Sequence, residues 1–174
     1  MPTNVELQES FKDFVSANLP HLVKVARSLT GNVDAADELV QTAMEKACRA
    51  WPKVIQAADP LSYVRRILVN SAYDSWRRKR RLQQIFKPAE EDSDPPAAHP
   101  WGDPQRSLDR SSTIEELFRP LSPRERAVIT LRFLADLTEA ATAYELGIAV
   151  GTVKSTTARA LRKMRVVDVE TIGV

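Results

Sequence analysis

The 174-residue chain carries 25 Lys and Arg against 23 Asp and Glu, a net charge of only +2, so the position of its charges matters more than their total. A single cysteine, Cys48, excludes an internal disulfide and a cysteine-based zinc site within one chain, and His21 and His99 stand far apart, so neither a metal nor another cofactor is expected. The polar, acidic start and the lack of a long apolar run predict no secretory signal and no membrane insertion, which makes the chain cytoplasmic by default.

From Val5 to Leu29, apolar residues recur at helical spacing: Leu7, Phe11, Phe14, Val15, Leu22, Val23, Ala26 and Leu29. Pro20 predicts two helices or one bent helix, and Thr30-Gly31-Asn32 predicts its end. Asn32 or Asp34 then caps a second helix, Ala35 to Trp51, with Leu39, Val40, Ala43, Met44, Ala47, Cys48 and Trp51 as its buried stripe. Cys48 is thus expected to be a buried structural thiol. Glu38, Gln41, Thr42, Glu45 and Arg49 lie on the other side, which spacing alone reads as a solvated face. Trp51-Pro52 stops this helix, and Val54 to Asp59 connects it to the next.

Pro60 to Leu82 reads as a helix with one apolar face at Leu61, Val64, Ile67, Leu68, Ala72 and Ser75. Pro60 suits the first turn, where a missing N–H costs nothing. The opposite face carries Ser62, Arg65, Arg66, Asn70, Tyr73 and Arg77, with Val69 among them, and the chain continues as Trp76-Arg77-Arg78-Lys79-Arg80-Arg81. Basic residues interleaved with aromatics suit a nucleic-acid backbone with bases to stack. Asn70 has no packing reason to lie among arginines, and its amide can hydrogen-bond a base edge. The alternative is a solvated charged face with core aromatics.

From Gln84 to about Ser112 the chain turns acidic, proline-rich and poor in large apolar residues, the composition of a linker, although Trp101 lies within it. Beyond it, Ile114 to Leu121 reads as a short amphipathic helix. Ser122-Pro123-Arg124-Glu125 combines a cap, a proline at the first position and an acid three residues after the cap, and opens a helix that turns Ala127, Val128, Leu131, Leu134 and Ala135 inward. Thr138 caps a helix that Gly147 ends, and a last helix runs from about Val150 to Met164.

Ala143, Gly147 and Val153 have helix-turn-helix spacing: a small residue for close approach, a glycine at the sharp turn, and an apolar residue that returns to the core. The second helix of the pair offers Gly151, Thr152, Lys154, Ser155, Thr156 and Arg159 in its N-terminal half, with Arg162, Lys163 and Arg165 continuing the basic side. Helix-terminal N–H groups, a lysine and short hydroxyls can bind phosphates and read major-groove edges. A purely structural helical hairpin is the competing reading.

Four stretches in this order resemble the extracytoplasmic-function (ECF) sigma factors: Asp37-Glu38-Leu39-Val40-Gln41, Tyr63 to Asn70, Leu121 to Arg126, and Val150 to Ser155. The resemblance implies an all-α chain of two small helical domains: region 2 over residues 1–83, a linker over 84–112 and region 4 over 113–174. It implies that Asp37, Glu38, Leu39, Gln41 and Glu45 dock on polymerase. Tyr63, Arg65, Arg66, Asn70, Tyr73 and Arg77 would open the minus-ten element, with Asn70 helping to hold a flipped base and the arginines tracking phosphates. Gly151, Thr152, Lys154, Ser155, Thr156, Arg159 and Lys163 would read the minus-thirty-five element, although Thr156 stands where many relatives have Arg or Gln. The implied partners are core RNA polymerase, through its beta-prime clamp and beta flap, promoter DNA, and an anti-sigma protein expected for the family. No small-molecule substrate is implied.

Two other classes remain for comparison. A helix-turn-helix regulator acting without polymerase would have no use for the second basic, Asn-bearing helix. A helical enzyme would need paired carboxylates, a glycine-rich phosphate loop, or a histidine at helical spacing from Cys48, and the sequence has none of these.

Overall fold

A computed structural model of the chain describes residues 3–84 and 113–172; the predicted linker and Trp101 lie outside the described residues. Helix α1 (Asn4–Thr30) starts in a capping box, where the Thr3 side chain accepts the Glu6 N–H and the Glu6 carboxylate accepts the Thr3 N–H at 2.6 Å. It runs through Pro20 as one element and stops at Gly31, whose φ of 64° gives the left-handed cap that glycine adopts without strain. Pro20 is tolerated because it and Ser16, whose carbonyl loses its partner, both lie on the exposed side.

Asn32 caps α2 (Val33–Arg49) by accepting the Ala35 N–H at 3.0 Å. The chain re-enters a short helix, α3 (Trp51–Val54), with Pro52 in its first turn, so Trp51 opens this element instead of closing the previous one. Its ring meets Phe11 and Phe14 at 5.1 Å between centroids, and its indole N–H donates to Ser10 Oγ at 2.8 Å. Cys48 is exposed, contrary to expectation. The stripe is centred on Ala36, Val40, Ala43 and Ala47, and one residue past Ala47 the helix has rotated Cys48 towards the side of Glu45.

Helix α4 (Pro60–Gln84) begins where Asp59 Oδ1 accepts the Ser62 N–H at 3.0 Å. Val64, Leu68 and Ala72 pack against Leu22, Val25 and Ala26 of α1 and Leu39, Val40 and Ala43 of α2. The C-terminal group comprises α5 (Thr113–Phe118), α6 (Pro123–Ile129), a π-helical turn (Thr130–Leu134), α7 (Glu139–Leu146) and α8 (Val150–Ile172). The Ser122–Glu125 capping box forms as the sequence predicts. The π-helical turn was not expected; it leaves Leu134 and Ala135 half-buried. Asp136 follows in the left-handed region at φ 53°, and the Arg132 guanidinium donates to the Leu137 carbonyl across the same bend.

The N-terminal and C-terminal groups share a core. Ala127 and Leu131 enter the same hydrophobic cluster as Leu22, Leu29, Val69 and Ala72. Ser28 Oγ and Thr130 Oγ1 form a buried hydrogen bond of 2.7 Å across the junction. Val69, which the sequence sets among basic residues, is buried because this side of α4 meets α6. Among the described residues no helix is long and apolar enough to cross a membrane.

Candidate nucleic-acid interface

Helix α4 divides its polar residues between two environments. Tyr63, Arg66 and Asn70 follow one another at helical spacing, are exposed, and line one surface pocket of about 410 Å³. The loop residues Ala57, Ala58 and Asp59, with Ser62 and Ile67, complete its wall, and Tyr144 reaches it from α7. The pocket has the size of a small-ligand site, with an aromatic ring, an amide and a guanidinium along it.

Arg65 is placed elsewhere. Its guanidinium forms an ion pair with Glu145 of α7, with NH2 to Oε1 at 2.5 Å and Nε to Oε2 at 3.0 Å, and the two side chains are only 5% and 2% exposed. Ser62 Oγ donates to the same carboxylate at 2.9 Å. As a phosphate contact Arg65 is therefore corrected for this conformation: α7 covers it. Tyr73 is half-buried in an apolar slot with Leu29, Trp76 and Pro123, away from the pocket. Arg77 is exposed, 3.9 Å from Asp74.

His21 of α1 faces the Arg65–Glu145 pair. Burial, and then the positive charges of Arg65 and Lys24, hold its pKa below the ordinary 6.5, with Glu145 opposing them. Its Nε2 is buried without a hydrogen-bond partner.

On α2, Asp37, Glu38, Gln41 and Glu45 share an exposed face, and Gln41 Nε2 donates to Glu45 Oε1 at 3.4 Å. Leu39 is corrected: it belongs to the core, since its position falls on the stripe of Ala36 and Ala43. Glu38, Gln41, Glu45 and Cys48 follow one another on this surface.

The helix-turn-helix forms around Gly147, whose φ of 64° lets its N–H and that of Ile148 reach the Ala143 carbonyl. Ala143 and Val153 pack with Val128 beneath the turn. Gly151, Lys154, Ser155 and Arg159 lie exposed on α8 and Thr152 is half-buried. Lys154 stands 3.8 Å from Glu139, and Ser155 Oγ donates to the Thr152 carbonyl at 3.2 Å. Two residues depart from the expected surface. Thr156 is 2% exposed, because it shares the inward stripe with Val153 and Ala160. Lys163 is half-buried and its Nζ meets the Glu125 carboxylate at 2.8 Å, so it closes the capping box of α6.

The sequence signals Tyr63, Arg66 and Asn70 through periodicity. It does not signal Tyr144 and Glu145, which belong to the same surface only in three dimensions. Arg66 stacks over the Tyr144 ring at 5.2 Å from its centroid.

Residues 14–82 match the sigma-70 region 2 family and residues 112–164 match sigma-70 region 4. The chain is 30% identical over 155 residues to an RNA polymerase sigma-E factor of Streptomyces avermitilis, covering 89% of this chain and 83% of that one. It is 31% identical over 157 residues to the ECF RNA polymerase sigma factor SigL of Mycobacterium tuberculosis, covering 88% and 85%. Among solved structures it resembles the sigma factor RpoE bound to the anti-sigma factor NepR from Bartonella quintana, with a TM-score of 0.70, 28% identity and coverage of 91% and 96%.

Proposed function

The chain belongs to the ECF sigma factors of the sigma-70 family, and from that premise we propose which of its residues carry each step of transcription initiation. It is a transcription initiation factor: it binds core RNA polymerase, directs it to promoters through minus-thirty-five and minus-ten elements, and assists their melting. Sigma factors of this kind are not enzymes in the ordinary sense. In our reading this chain contributes recognition alone, in the cytoplasm, and polymerase does the bond-making.

We assign region 2 to residues 1–83, a linker to 84–112 and region 4 to 113–174. The exposed face Asp37, Glu38, Gln41 and Glu45 is the proposed polymerase contact on the beta-prime clamp, with region 4 meeting the beta flap. Tyr63, Arg66 and Asn70 are proposed to take an unstacked base of the minus-ten element. Stacking on Tyr63, an amide on the base edge and a nearby guanidinium together offset the few kcal/mol, roughly, that unstacking costs. Gly151, Thr152, Lys154, Ser155 and Arg159 are proposed to meet the minus-thirty-five major groove. Arg65 joins the minus-ten contacts once α7 has moved away. A protein antagonist of the anti-sigma class is a further proposed partner, supported by the likeness to RpoE in its NepR complex.

The observation that carries this reading is the convergence of exposed Tyr63, Arg66 and Asn70 on one pocket. The test is co-elution with core RNA polymerase on size exclusion. Stoichiometric binding by the parent, lost when Asp37, Glu38 and Gln41 are changed together to Ala, is the expected result. Failure of the parent to bind, together with protection of palindromic DNA in the absence of polymerase, would replace this reading with that of a DNA-only regulator.

A further inference from the structure

The contact between α4 and α7 is chemically specific. Arg65, a cation on the face assigned to promoter opening, is satisfied by a carboxylate in a fork geometry that a phosphate would also satisfy. Arg66, its neighbour, lies over an aromatic ring, as a guanidinium lies over a base. Both substitutes come from consecutive residues of one helix, Tyr144 and Glu145, and that helix is the first of the helix-turn-helix pair. An anion and a ring thus occupy positions where single-stranded DNA would offer a phosphate and a base.

Resting on the function proposed above, we infer that α7 acts as an internal substitute for the non-template strand. Glu145 holds the phosphate seat on Arg65, and Tyr144 stands at the mouth of the base pocket, so the free protein is shut against promoter DNA by its own region 4. Tyr144 remains 69% exposed and narrows the mouth without filling the pocket, whereas Glu145 is fully enclosed and sets the closure.

Geometry requires this contact to break during initiation. Elements centred about 25 base pairs apart are separated by roughly 85 Å of duplex. With Arg65 and Glu145 in contact, α7–α8 cannot stand at one element while α4 stands at the other. The α2 face bearing Asp37, Glu38 and Gln41 stays exposed in the closed form, so polymerase can dock before DNA does. Polymerase docking and promoter engagement are therefore ordered.

The test uses the full chain, without polymerase, and a fluorescent single-stranded DNA of random sequence, about 15 nucleotides long. Glu145→Ala is expected to tighten binding about tenfold and to raise the radius of gyration in solution scattering, and adding Arg65→Ala is expected to abolish the gain in binding. Tyr144→Ala, a change at an exposed position that leaves the core untouched, is expected to tighten binding about threefold. Equal affinity of parent and both variants overturns the inference, whether or not Glu145→Ala expands the molecule. A gain that survives Arg65→Ala overturns the assignment of the seat. Arg66→Ala and Asn70→Ala in the Glu145→Ala background separate the two levels. If they weaken DNA binding while Glu145→Ala brings no gain, only the self-occupancy fails; if they change nothing, the pocket reading fails.

Discussion

Breaking the Arg65–Glu145 pair should cost the same from either side. Removing one partner of a buried, hydrogen-bonded ion pair typically costs about 3–5 kcal/mol, mostly because the other charge is stranded. Here the side chains are 5% and 2% exposed, Ser62 adds a hydrogen bond, and the pair joins elements 80 residues apart. A limit follows from its position between two groups of helices. A stranded charge can be rehydrated by separating them, so the loss cannot exceed the free energy of closing. Arg65→Ala and Glu145→Ala should therefore destabilise the chain by similar amounts, at or below about 3 kcal/mol, and the double variant should lose less than about 1 kcal/mol more. Urea unfolding of the four proteins, followed by fluorescence of the tryptophans, gives the cycle. An additive double variant, or single losses below about 0.5 kcal/mol, the size of an exposed pair, would show that the two charges do not meet in solution.

Three further outcomes are expected. Asn70→Ala should reduce open-complex formation by polymerase holoenzyme while leaving polymerase binding intact; equal permanganate reactivity of the melted strand for variant and parent would remove Asn70 from the base pocket. Because burial and the charges of Arg65 and Lys24 lower the pKa of His21 in the closed form, the opened form takes up the proton more readily. Closure should thus be fully stable above pH 6.5 and weaken as pH falls below it, and scattering at stepped pH should show this expansion in the parent but a flatter response in His21→Gln. At Gly147 an added Cβ would meet nothing within 4 Å, so Gly147→Ala should cost only the left-handed backbone strain, about 1–2 kcal/mol, read as a lower Tm with retained helical circular dichroism.

Much of the local architecture was legible in the sequence because its causes are local. Ser122 with Glu125, Thr138 and Gly147 mark helix ends through bonds that span three or four residues, and each does so in the structure; of the two caps offered for α2, Asn32 and Asp34, the structure uses Asn32. The grouping of Tyr63, Arg66 and Asn70 is legible for the same reason, since helical periodicity alone puts them in line. The burial of Arg65 is only half legible: Leu68, Val69 and Ala72 follow it at three, four and seven residues, on the same side of the helix, but the carboxylate that satisfies it, Glu145, lies far along the chain. Val69 likewise looks misplaced on a basic face until α6 supplies its partner. Cys48 and Thr156 are different failures: each lies on the other side of its helix from the one expected, because the phase of the apolar stripe outweighs a one-residue rotation or a motif position. Leu39 lies in the stripe as its spacing predicts, and it is the docking role implied by the motif that its burial overturns.

The junction between the two groups of helices joins unlike materials. One part is apolar, with Leu29, Val69 and Ala72 against Pro123 and Ala127. The other is ionic, with Arg65, Glu145 and Ser62. Apolar contact loses strength on cooling. Dehydrating a charged pair likewise becomes less costly on warming. Both favour closure as temperature rises from the cold, while the entropy of two groups held together favours opening when hot. A cell shifting between cold and warm surroundings would accordingly find this factor least restrained at the extremes and most restrained between them.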